Sequence, residues 1–101
     1  PLPENYLLDA VRRRNIRRLR YALAHGQLIT AKEAKEMARH DLCAMFGEVL
    51  RHGKVDGKLH ESIRTAIEEG VSAARKEYSY MPMRFMLMFH MHVARKPDSI
   101  G

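Results

Sequence analysis

The chain has one cysteine, Cys43, in 101 residues. That excludes an intrachain disulfide and argues against a disulfide-stapled secreted scaffold. No apolar run reaches the roughly 18 residues that a membrane span requires. The longest apolar stretch, Met81–Ala94, is interrupted by Arg84, His90 and His92. No leader-like pattern opens the sequence. Pro1 at the start fits either a processed chain or a piece of a longer one. Glycine-rich phosphate loops, paired acidic motifs and His-Glu-x-x-His are missing, so an enzyme is not expected, nor a cofactor. These absences leave a cytoplasmic, non-enzymatic protein as the expectation.

The length suits one domain over residues 1–101, with no room for two cores. Hydrophobic content of 46% and charged content of 30% are those of a folded chain rather than a disordered one. The net charge of +6 is unevenly placed. Residues 1–25 hold six arginines against Glu4 and Asp9, whereas the remaining 76 residues hold twelve basic side chains against ten acidic ones. A local basic excess points to an anionic partner: nucleic acid, an acidic protein face or a membrane surface.

Apolar periodicity predicts helices throughout. The first should span Pro3 to His25, opened by Pro3 and Glu4 at the positive end of its dipole. Leu8, Ile16, Leu19, Ala22 and Leu23 fall on one side, and Arg13, Arg14, Arg17, Arg18 and Arg20 spread over an arc of about 160° on the other. Arg12 and Asn15 fall inside the apolar arc, which requires either a buried polar network or a change of course. "ALAHGQLIT" at 22–30 is echoed by "VLRHGKVDG" at 49–57. Glycine after the last periodic residue, histidine in the last turn and an aliphatic residue beyond are the parts of a Schellman stop. Thr30-x-x-Glu33 then reads as a capping box, with Ile29 stapled onto Ala34. The repeated Leu-x-His-Gly is therefore a helix terminator, used at Gly26 and again at Gly53, where Val55 and Asp56 follow as aliphatic residue and cap.

A second helix is expected from Ala31 to His52 and a third from Gly57 to Tyr80. In the third, Ala66, Gly70 and Ala74 form a small-residue stripe that another helix can approach closely. After Pro82, "MPMRFMLMFHMHVARK" is apolar almost all round a helical wheel, which predicts a buried helix or one in an interface. The expected fold is all-α: an antiparallel bundle of three long helices plus a short apolar C-terminal helix.

Several constellations invite chemistry. His40-x-x-Cys43 spans one helical turn but lacks the second pair that a zinc site needs. The Met and His density after residue 80 suits Cu(I), yet those methionines lie among Phe85, Leu87, Phe89 and Val93, as pliable core or partner-groove filler does. No bound metal is expected. A helix-turn-helix beginning at Ile29 is not expected, because the periodicity carries the second helix through Ala38 to Leu42 without a turn. The expectation is an interaction domain that self-associates or docks a partner protein. Met83, Met86, Leu87, Met88 and Met91 would carry that contact, and the arginine helix would steer it. The rival is a nucleic-acid-binding module using Arg13, Arg14, Arg17, Arg18 and Arg20. A basic helix lying on a membrane surface ranks third.

Overall fold

In the computed structural model, which describes residues 2–52 and 60–94, every regular element is a helix. These are α1 (Tyr6–Arg12), α2 (Ile16–Ala24), α3 (Ala31–Arg39), α4 (Cys43–His52), α5 (His60–Tyr78) and α6 (Met83–Ala94). The all-α class holds, but the three long helices do not. The first expected helix is split into α1 and α2, and the second into α3 and α4. Only the third runs unbroken, straight through Gly70 to Tyr78.

Both breaks have the same cause. At the end of α1, Arg14 takes a left-handed conformation, with φ 53°. The Arg14 N–H returns to the Val11 carbonyl at 3.0 Å and the Asn15 N–H to that of Ala10 at 2.9 Å. At the end of α3, Asp41 has φ 55°, with Asp41 N–H on Ala38 O and Leu42 N–H on Met37 O. These are the two hydrogen bonds of a Schellman stop. The terminator that "AHGQ" announces uses the same pair: Gly26 (φ 88°) bonds to Leu23 O and Gln27 to Ala22 O. A left-handed conformation at a non-glycine residue costs about 1–2 kcal/mol, so the flanking helices must hold Arg14 and Asp41 in place. Asn15 then restarts the chain. Its side chain accepts the Arg18 N–H at 3.2 Å and caps α2, which resolves its odd place on the helical wheel as a change of course.

The turn after Gly26 follows the expected plan with one correction. Leu28 is exposed, and Ile29 is the aliphatic residue that is fully buried, together with Ala34. Glu33 accepts both the Thr30 N–H (2.7 Å) and the Thr30 hydroxyl (2.6 Å), completing the capping box. The second Leu-x-His-Gly copy cannot be compared in the same way, because Gly53, Val55 and Asp56 lie outside the described residues.

The core is one cluster to which all six helices contribute, with Leu19, Leu23, Ile29, Met37, Phe46, Ile63 and Phe85 fully buried. The most extensive packing is α3 against α5. It is close because Gly70 faces α3: a methyl group there would lie 2.5 Å from the Lys35 carbonyl oxygen and 2.9 Å from the Ala38 Cβ. Ala66 and Ala74 are buried on the same stripe. α4 packs on α2 and α3, and α6 leans on α4.

Replacing Gly70 by Ala forces α3 and α5 apart and should cost about 1–3 kcal/mol in chemical denaturation, as overpacking against backbone does. Replacing Arg14 by Gly removes a left-handed penalty at an exposed position. That variant should hold stability or gain up to about 1 kcal/mol, since the relief exceeds glycine's entropic cost.

Candidate interaction surface

Helix α6 is fixed at its N-terminus from a distance. Pro82 has no side-chain oxygen to cap the first turn, so the cap comes from the α3–α4 turn. Asp41 Oδ1 accepts the Phe85 N–H at 3.0 Å, and Oδ2 accepts the Tyr80 hydroxyl at 2.7 Å. A carboxylate at this end of a helix meets both the free N–H groups and the positive end of the dipole. Phe85 and Phe89 then point inward. Phe85 lies 4.8 Å and Phe89 6.2 Å, centroid to centroid, from Phe46 of α4. Met88 packs over Gly47, its Cε 3.2 Å from where a Cβ would stand.

The expected partner-binding residues therefore divide. Met86 and Met88 are half-buried against the body of the protein. Met83, Leu87 and Met91 are 62%, 63% and 48% exposed, which is high for such apolar side chains. Spaced i, i+4, i+8, they form one ridge on the side opposite Phe85 and Phe89. The sequence leads to the expectation of a helix that is buried or in an interface; in the single chain, one face of α6 is core and the opposite face is open. Arg84 and His90 flank the ridge, both exposed and without an ion pair among the described residues.

The arginines expected to bind a polyanion do not share one helix. Arg13 and Arg14 sit in the α1–α2 turn, and Arg17, Arg18 and Arg20 lie on α2. Asp9 takes Arg13 at 3.1 Å and Arg18 at 3.5 Å. Arg20 donates to Glu48 at 3.0 Å. Glu48 is buried and also accepts from Arg51 at 2.6 Å, so Arg20 ties α2 to α4. The Arg20 hydrogen bond holds the Glu48 carboxyl below its ordinary pKa. Arg14 and Arg17 have no acidic partner among the described residues. Sequence reasoning missed an aromatic file beside this face. Arg18 lies over the Tyr6 ring at 5.9 Å, Tyr6 is 6.2 Å from Tyr21, and Tyr21 is 4.0 Å from His25. Tyr6 and Tyr21 are fifteen positions apart, and the α1–α2 break brings them together.

Three helix ends meet around a shallow depression of about 570 Å³ lined by Arg14, Arg39, His40, Tyr78 and Tyr80. Its charges are mostly engaged. Arg39 pairs with Glu36 and Glu77, and His40 Nε2 lies 3.6 Å from Glu36. Burial, reinforced by Arg14, lowers the His40 pKa, which keeps the imidazole neutral near pH 7. Burial and Asp41 push the Cys43 thiol up, so it is a poor nucleophile. Cys43 donates weakly to Asp41, and no three of His, Cys, Asp or Glu gather as metal ligands among the described residues. No helix among them is long and apolar enough to cross a membrane. No family model, curated protein or solved structure matches this chain.

Two predictions follow from these contacts. Asp41→Ala removes a helix cap, a tyrosine partner and a residue tolerant of its left-handed backbone, and should cost about 2–4 kcal/mol, against about 1 kcal/mol for Asp41→Asn. Thermal melting of the two variants distinguishes them. For Glu48 the folded pKa is the lower one, so its contribution is complete above the ordinary carboxylate pKa and is lost as pH falls through the folded value. The stability gap between the native chain and Glu48→Gln should therefore be widest near neutral pH and narrow as pH falls below the ordinary carboxylate pKa.

Proposed function

We propose that this protein is a non-enzymatic helical interaction domain that docks a second protein surface through α6. The observation that carries this reading is the open Met83–Leu87–Met91 ridge on a helix whose other face packs on Phe46 of α4. A large apolar side chain exposed singly is ordinary, but three in file on one helix mark a contact surface. Methionine suits such a surface because its unbranched thioether adapts to the partner's shape. Arg14 and Arg17, with Arg84, add positive charge that raises the rate of encounter with an acidic partner. A cytoplasmic setting fits the free Cys43 thiol.

A second reading rests on the Arg18–Tyr6–Tyr21–His25 file. Aromatic rings beside arginines are the elements of a single-strand nucleic-acid platform. It ranks lower because Asp9 and Glu48 already engage Arg13, Arg18 and Arg20.

Changing Leu87 and Met91 together to Glu should leave the melting transition nearly unchanged, since both are exposed, and should abolish assembly or partner docking as read by light scattering and pull-down. Unchanged assembly and docking in that variant would sink the reading. Replacing Arg14 and Arg17 by Gln should slow partner association and leave dissociation nearly untouched. Submicromolar nucleic-acid affinity at physiological salt, with a slope of log K against log salt that falls by about one for each arginine removed, would promote the second reading instead.

A further inference from the structure

We propose that the α6 ridge is built for an acidic amphipathic helix of another protein. This deepens the interaction reading above and rests on it. The ridge first selects the shape of its occupant. Met83, Leu87 and Met91 are a single i±4 row about 12 Å long. Such a row fits the groove between the corresponding rows of a second helix. A membrane surface takes up a broad apolar face. Here the broad face of α6, with Phe85, Phe89 and Met88, is already committed to Phe46 and Gly47.

Charge then selects the occupant's chemistry. From Tyr78 through Pro97 the sequence contains no Asp or Glu, while it holds Arg84, Arg95, Lys96, His90 and His92. Asp41, the acid that does reach α6, is spent on the Phe85 N–H and the Tyr80 hydroxyl. Arg84 and His90 therefore border the ridge with no carboxylate paired to them among the described residues. A partner helix with an apolar seam flanked by Glu or Asp supplies both halves of the contact.

A second copy of this chain supplies only one half. "MRFMLMFHM" at 83–91 reads almost identically in both directions about Leu87. Antiparallel pairing of two copies would bring Met83 onto Met91 and Leu87 onto Leu87. It would also place Arg84 opposite His90, with no acid on either strip, between chains that each carry +6. The apolar match permits self-pairing, and the charge disfavours it. A three-residue ridge is also far short of the about 800 Å² per partner of a standard interface, which describes a fast-exchanging contact.

The test uses the full chain and a fluorescein-labelled synthetic helix of about 22 residues, with a leucine seam flanked by Glu, read by anisotropy. Two controls are the same helix with Lys for every Glu, and a scrambled sequence of the Glu peptide. The Glu helix should bind saturably, and each control at least about tenfold more weakly. Leu87→Ser should weaken the Glu helix about tenfold with an unchanged melting transition. Arg84→Glu should weaken the Glu helix and strengthen the Lys helix, a reversal that lost packing does not produce. Absent binding of the Glu helix, or equal binding of the scrambled peptide, would overturn the inference. A dimer in sedimentation that Leu87→Ser dissolves would assign the ridge to a second copy, which overturns this inference and leaves the interaction reading standing. Leu87-dependent binding to phosphatidylserine vesicles would overturn both.

Discussion

The carboxylate of Asp41 is the contact on which the arrangement of this chain turns. It stands in the left-handed position that ends α3, so it exists in that place only because the second apolar segment is broken. From there it caps a helix that begins more than forty residues later and also holds the Tyr80 hydroxyl. The break in α3–α4 and the seating of α6 are thus one event. Without the break, no side chain would stand where Pro82 leaves α6 uncapped, and the Phe85 ring would lose its registration on Phe46.

Two other long-range contacts brace this junction from either side. Gly70 lets α5 lie against the backbone of α3, which fixes the helix whose end carries Asp41. Glu48, buried between Arg20 and Arg51, ties α4 to α2. A buried carboxylate is costly unless its oxygens are satisfied, and removing one partner is worse than never having had the pair. Arg20 accordingly belongs to the scaffold even though its position on α2 resembles that of a binding residue. The same holds for Arg39, which is divided between Glu36 and Glu77. Part of the positive charge on this protein is thus internal mortar, and among the described residues Arg14, Arg17 and Arg84 stand outside these ion pairs.

How far the sequence reveals this depends on which residue performs each task. The stop at Gly26 is legible because glycine is the residue that adopts a left-handed backbone without strain. Arg14 and Asp41 make the same two hydrogen bonds with side chains that do not advertise them, so both breaks pass unnoticed in a reading that waits for glycine. The small-residue stripe at Ala66, Gly70 and Ala74 is legible because close approach permits few alternatives. The orientation of α6 is not legible, since a segment apolar on every side carries no moment to say which face turns inward. Phe46 decides that, and its role depends on a tertiary contact. The Tyr6–Tyr21–His25 file is hidden for a related reason: its spacing belongs to a bent helix pair and not to any single periodicity.

Among the described residues α6 packs chiefly on α4, and far less extensively than α3 packs on α5. Helices that share many contacts open together, whereas an element seated on one neighbour opens as a unit of its own at lower cost. Among the described residues, Phe85, Phe89, the half-buried Met86 and Met88 and the carboxylate of Asp41 hold α6. By that principle α6 should open at lower cost than the α3–α5 pair, and hydrogen exchange at its amides would report the difference. A ligand that settles on its outer ridge acts on this equilibrium, favouring whichever state keeps the ridge helical. The ridge proposed as a contact surface therefore lies on a helix whose own seat is confined to its opposite face.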